Sequence, residues 1–206
     1  MSPIKPLGFK NYGSIGHLSN SKLGEADSYV NPGQERILTL KKRDEHDEII
    51  VTEKYDGSNV GIAKINGKII ALNRKGYEAT TSPYKMHHDF NDYVLTNTGL
   101  FKDIINEGER LCGEWIRQPH GIKYNTESTP IIFFDLFNRT NKRKSFHELT
   151  ALGNNYSLPI VRVLHIGEAI GTEVVKLELN KKNRLVISLR RNAGRNGLSC
   201  RTKRPF

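Results

Sequence analysis

Apolar and polar positions are patterned most clearly between residues 49 and 74. The run Ile49-Ile50-Val51 has strand composition and carries Lys54 to a strand end, where Asp56-Gly57 turns the backbone. From Asn59 the chain is β-like again up to Asn66-Gly67, the strongest short hairpin signal, and residues 68–74 return antiparallel. A two-residue turn there pairs Ile65 with Lys68, and counting outward sets Asn59 opposite Arg74. Lys54 and Arg74 are thus predicted at one mouth. Residues 84–109 have helical spacing, with Phe90, Val94, Leu100, Phe101, Ile104 and Ile105 on the apolar positions and Gly99 dividing two helices.

Two further strands are predicted over 110–116 and 131–137, the second heavily aromatic. Strict alternation along Ile131-Ile132-Phe133-Phe134-Asp135-Leu136-Phe137 puts Phe133 and Phe137 in the core, opposite Phe134. Ser145 and Glu148 have capping-box spacing at the start of a short helix over 146–152, and 158–166 reads as a buried strand with Pro159 near its start. Residues 3–40 carry many turn signals and are predicted to be loops, with His17 and Lys22 as ordinary loop residues or contacts to a polyphosphate or RNA. The run KKRDEHDE over 41–48 reads as a solvated turn, and the His87-His88 pair as surface residues. The element order is that of an α+β protein rich in antiparallel pairing.

Composition narrows the class. A chain of 206 residues with 36% hydrophobic residues can bury a core, and it has no apolar run long enough for a membrane span. Its first residues resemble neither a signal nor a transit peptide, so the expected location is cytoplasmic. Cys112 and Cys200 predict neither a disulfide framework nor a zinc site. The net charge is +10, but nine of the 32 basic residues fall in 181–206, which has no acidic residue. That segment either binds phosphate backbones or is an unstructured end.

The candidate chemistry centres on Lys54. A lysine amine is nucleophilic only when deprotonated, and a nearby cation or lost solvent lowers its pKa toward that state. Arg74 is a candidate for that cation, and its planar donor fork also suits a phosphate or ribose. Residue types alone leave open a solvated strand-end lysine and a turn that only reverses the chain.

Four motifs in order carry a resemblance. Lys54-Tyr55-Asp56-Gly57-Ser58-Asn59 resembles the K-x-(D/H)-G-x-N motif of the covalent nucleotidyltransferases, which include ATP-dependent RNA and DNA ligases and mRNA capping enzymes. Asn73-Arg74-Lys75-Gly76 resembles their arginine-glycine motif, Gly113-Glu114-Trp115 their third motif, and Phe133 to Phe137 the aromatic strand after it. Over residues 13–170 the chain most resembles the RNA ligase family that includes the phage double-strand-nick-sealing type. The resemblance implies an α+β nucleotidyltransferase (ATP-grasp-like) domain with antiparallel sheets. It implies ATP and Mg2+ as cofactors, a covalent lysyl-AMP on Lys54, and RNA 5′-phosphate and 3′-hydroxyl ends as substrates. In that reading Glu53 is among the nucleotide-binding residues, Asp56 and Asn59 set the loop geometry around Lys54, Arg74 and Glu114 hold ribose and phosphate, and Phe134 stacks on adenine. Trp115 is a weaker candidate for the nucleotide wall. A DNA ligase, a capping guanylyltransferase and an inactive remnant are the alternatives.

Two later family motifs have no plain counterpart. Glu173-Val174-Val175-Lys176 lacks the glycine of E-G-x-V, Arg201-Thr202-Lys203 only approximates K-x-K, and the metal carboxylate stays unassigned. The expected division is a nucleotidyltransferase domain over 1–170 and a basic segment over 171–206, with the fold incomplete at its C-terminus.

Overall fold

The computed structural model describes residues 3–19, 21, 23–25, 27–117, 124, 129–174, and the backbones of 186–191 and 199–202. In chain order the elements are β1 (Gly16–His17), α1 (Pro32–Thr39), β2 (Ile49–Lys54), β3 (Ser58–Ile65), β4 (Lys68–Asn73), α2 (Lys85–Thr96), α3 (Thr98–Ile104), β5 (Arg110–Trp115), β6 (Ile131–Phe137), α4 (Phe146–Tyr156), β7 (Val163–Gly167), β8 (Val186–Arg191) and β9 (Ser199–Thr202). They form two compact units, the first from residues 1–13 and 55–160, the second from 14–54 and 161–206. Helices and mainly antiparallel sheets are mixed in both, the α+β class that the element order predicts. Among the described residues, no helix is long and apolar enough to cross a membrane.

The first unit is built on a four-stranded antiparallel sheet in the order β4-β3-β5-β6. Its hairpin has the expected register, Ile65 against Lys68 and onward to Val60 against Asn73. Asn66 and Gly67 both take positive φ, 51° and 72°, the left-handed pair that a tight hairpin needs. Helices α2 and α3 cover one face of the sheet. Phe90 and Tyr93 pack on Trp115, and Phe101 on Phe133, at centroid distances of 5.5 to 6.3 Å. The break between the helices falls at Asn97, whose Nδ2 donates to the Tyr93 carbonyl at 2.8 Å, so Gly99 lies inside α3. Ser145 and Glu148 form the capping box foreseen for α4.

The β5–β6 ladder holds a correction to simple alternation. Cys112 pairs with Asp135 and Gly113 with Phe133, so Phe134 is an extra, bulged residue. The bulge brings Phe134, Asp135 and Phe137 to the same side. Phe133 stays in the helix-side core with no exposure, whereas Phe137 lies beside Tyr12, Arg110 and Arg143 on the other face.

The second unit is a five-stranded sheet in the order β1-β9-β8-β2-β7. β2 lies inside it, paired with β8 from Ile49 against Arg191 to Lys54 against Val186. Residues 3–40 are not all loop: α1 is a helix capped by Asn31, with Pro32 at its first position where no N–H is missed. The same Asn-Pro pair that signals a turn in the sequence starts this helix. Leu38 of α1 packs with Leu18, Ile49 and Val51, so the Ile49/Val51 face of β2 belongs to the core. His17 is fully buried in β1, 3.4 Å from Asp27, and is not a surface loop residue. Lys22 lies outside the described residues. The strand predicted over 158–166 is shared out: Ile160 bridges Phe133 in the first unit, and only Val163–Gly167 pairs with β2.

Candidate active site

Residues of all four sequence motifs meet in the first unit along one end of its sheet. Asn73, Val60, Gly113 and Phe133 form one continuous cross-strand row. The next row joins Asn59, Glu114 and Ile132, with Arg74 one residue past the end of β4. Because paired residues share a face, Asn59 and Glu114 lie on the face away from the helices, and the bulge adds Phe134 to it.

The turn after Lys54 is held by three contacts. The Gly57 amide donates to Glu114 Oε1 at 3.2 Å, and the Asp56 amide to the Tyr124 hydroxyl at 2.9 Å. The Tyr124 ring lies 5.3 Å from that of Tyr55. A Cβ on Gly57 would come 2.3 Å from the Trp115 carbonyl, so the turn is pressed onto the end of β5 as only glycine allows. Glu114 is 8% exposed, so its carboxylate is set within the protein rather than on a solvated strand.

Arg74 is exposed, and its side chain makes no hydrogen bond or ion pair with the described residues; its carbonyl accepts from the Tyr12 amide at 3.3 Å. Phe134 is half-buried, its ring edge-on to Tyr12 at 5.2 Å. Trp115, at 1% exposure under Phe90 and Tyr93, is a core residue and not a nucleotide wall. In the second unit, Glu53 and Lys54 end β2 half-buried, opposite Ile187 and Val186, and the Glu53 amide donates to the Arg162 carbonyl at 2.9 Å. Alternation places Lys54 with Ile50 and Thr52, off the face that Ile49 and Val51 bury.

The segment 9–12 is the part of the site's surroundings that the sequence pattern did not reveal. Asn11 is fully buried and donates from Nδ2 to Asn59 Oδ1 at 3.2 Å. Its carbonyl accepts from Arg110 Nε at 2.8 Å. The Tyr12 hydroxyl donates to buried Asp135 and accepts from Arg143 Nη2 at 3.0 Å, while Arg143 Nε lies 3.2 Å from the same carboxylate. Burial disfavours the Arg143 charge, but Asp135 beside it more than offsets this and raises its pKa. Burial pushes the Cys112 thiol up to about 12, so it keeps its proton at neutral pH. Asp135 within an otherwise apolar strand was the one sequence hint of this network.

Among the described residues no three His, Cys, Asp or Glu side chains group as a metal site. No residue is therefore assigned to a metal.

The sequence model of the RNA ligase family matches residues 47–205. The chain belongs to the RNA ligase family. The match runs through the basic segment after residue 171, where sequence reading found only weak motifs and the structure has β8 and β9. An uncharacterized protein of Methanocaldococcus jannaschii is 28% identical over 169 residues, 74% of this chain and 41% of that protein. An archaeal ATP-dependent RNA ligase superposes with a TM-score of 0.60 at 19% identity, covering 93% of this chain and 48% of that one. A lysine-to-alanine mutant of Naegleria gruberi RNA ligase, solved with ATP and Mn, gives 0.56 at 16% identity over 94% and 61%. The fold is thus that of the nucleotidyltransferase-type ligases. The chain spans about half the length of the relatives it resembles.

Proposed function

We propose that this RNA ligase family member is an ATP-dependent RNA ligase acting through a covalent lysyl-AMP. The deprotonated Lys54 Nζ attacks the α-phosphorus of ATP in line, forming a P–N bond as the bond to the β-phosphate oxygen breaks and pyrophosphate leaves. The amine's proton passes to solvent. An RNA 5′-phosphate oxygen then attacks the same phosphorus and frees Lys54, and a 3′-hydroxyl displaces AMP to seal the strand. Asp56 and Asn59 shape the loop, Arg74 and Glu114 hold ribose and phosphate, Phe134 stacks on adenine, and Glu53 flanks the nucleophile. ATP enters as its magnesium complex.

The observation that supports this reading best is the register of the first unit's sheet. Asn59 and Glu114, 55 positions apart in sequence, are direct cross-strand partners, with Arg74 and the bulged Phe134 at the same sheet end. A turn that only reversed the chain has no need of a buried glutamate accepting from its amide.

The test is incubation with α-labelled ATP and Mg2+. The expected result is label that survives denaturation and is absent from Lys54→Ala. No label on the intact chain at high protein concentration overturns the reading, and uptake of labelled GTP in place of ATP favours a capping enzyme.

A further inference from the structure

We propose that Asn11 is a positioning residue that fixes the Asn59 side chain as a hydrogen-bond donor toward the nucleotide. The inference rests on the nucleotidyl-transfer reading above and names a part of the site that the four motifs do not contain.

An asparagine amide has one accepting and one donating end, and only its partners decide which end faces a ligand. Asn59 Oδ1 is taken by Asn11 Nδ2 at 3.2 Å. Among the described residues the Asn59 Nδ2 has no protein acceptor, so the donor is the end left for a ligand. The orientation of Asn11 is set in turn. The Cys112 Sγ lies 3.4 Å from Asn11 Oδ1, and a protonated thiol can only satisfy that oxygen by donating to it. The three groups form one directional chain, thiol to amide to amide, that ends in an N–H. Reversing either amide alone would set two acceptors or two donors against each other.

Two glycines make room for this chain. A Cβ on Gly61 would lie 2.0 Å from Asn11 Oδ1, so the residue two places after Asn59 must be small for Asn11 to reach it. A Cβ on Gly76, which has φ +89°, would meet the Phe9 carbonyl at 2.2 Å and the Asn11 amide at 3.0 Å. Segment 9–11 is therefore laid flat against the β3–β4 hairpin, its backbone anchored by Arg110. A fully buried asparagine placed with this much accommodation serves a polar purpose, and the group it orients belongs to the K-x-D-G-x-N motif. A donor suits an anionic phosphate oxygen or a ribose hydroxyl; an acceptor in its place would repel phosphate.

The experiment measures the rate of self-adenylylation and its dependence on ATP concentration in the intact chain, Asn11→Ala, Asn11→Asp, Asn59→Ala and Asn11→Ala/Asn59→Ala, with thermal unfolding alongside. Loss of one preorganised donor is expected to slow the chemistry by about tenfold to a hundredfold. Asn11→Ala should approach the Asn59→Ala rate, and the double variant should be no slower than Asn59→Ala, because both act through one donor. Asn11→Asp, whose two oxygens accept and force Asn59 to turn its amide inward, should be at least as slow as Asn11→Ala. Multiplicative losses in the double variant, or an Asn11→Ala rate equal to that of the intact chain, overturn the inference while leaving Lys54 labelling intact. Should Asn11→Ala fail to fold, Asn11→Asp decides: native-like rates there overturn it. An intact chain that takes no label overturns this inference together with the reading it rests on.

Discussion

Gly57 and Glu114 are joined by a hydrogen bond from the Gly57 amide to Oε1 at 3.2 Å, across a sequence separation of 57 residues. The turn that follows Lys54 thus takes its shape from a strand formed much later in the chain. A buried carboxylate accepting from a backbone amide serves both the loop and any ligand beside it. Glu114→Gln keeps an acceptor for Gly57 and removes the charge, whereas Glu114→Ala strands the amide, at about 1–3 kcal/mol. Glu114→Gln is expected to melt near the intact protein but to adenylylate at least tenfold more slowly; Glu114→Ala should lose rate and several degrees of Tm. Equal melting and labelling in all three proteins would show the contact to be incidental.

Gly57→Ala tests the same turn from its backbone. The new methyl would sit 2.3 Å from the Trp115 carbonyl, an atom held in the β5 ladder, so the turn must move away. Overpacking of this kind destabilises by about 1–3 kcal/mol. The expected outcome is a lower denaturant midpoint and a loss of label together, while Gly99→Ala, inside α3 where a methyl meets nothing within 4 Å, leaves labelling unchanged and does not lower the midpoint.

Much of the first unit could be read from the sequence because local signals and tertiary packing agree there. Asn66-Gly67 set the hairpin register, and Ser145 with Glu148 set the start of α4. The errors have physical causes. The bulge at Phe134 shifts the face of Phe137, and nothing in an aromatic run announces a bulge. Asn31-Pro32 signals a turn and a helix start equally well. Residues 181–206 hold nine basic residues and no acidic one, a composition that carries no strand signal, yet Val186–Arg191 form a strand whose pairing comes from β2 and β9. Asn11 was invisible for another reason: its role depends on contacts 48 and 101 residues away.

His87 gives the structure a pH dependence. Its Nδ1 lies 2.6 Å from the Ser82 hydroxyl, and its pKa is lowered from 6.5, first by burial and then by His88. The unfolded chain therefore binds the proton at a higher pH than the folded chain does. Stability held by neutral His87 is complete above pH 6.5 and falls as acidification carries the pH below that value. Urea midpoints between pH 7.5 and 5 should decline, and His87→Gln, which cannot charge, should flatten that part of the curve. A slope unchanged in His87→Gln would assign the dependence to other groups.

Phe133 and Phe134 are neighbours in sequence with opposite assignments, and the pair separates packing from binding. Phe133 has no exposure and packs on Phe101, so Phe133→Ala opens a cavity expected to destabilise by about 3–5 kcal/mol. Phe134 is the half-buried bulge residue, and truncating it removes little of the helix-side core. If its ring stacks on adenine, Phe134→Ala should raise the ATP concentration needed for half-maximal labelling by about ten- to a hundredfold, the worth of one base–aromatic stack, with a small change in Tm. Phe134→Trp keeps a stacking face and should recover most of that affinity, whereas Phe134→Leu, equally apolar but without one, should not. Equal recovery by tryptophan and leucine would make Phe134 a packing residue and remove it from the nucleotide site.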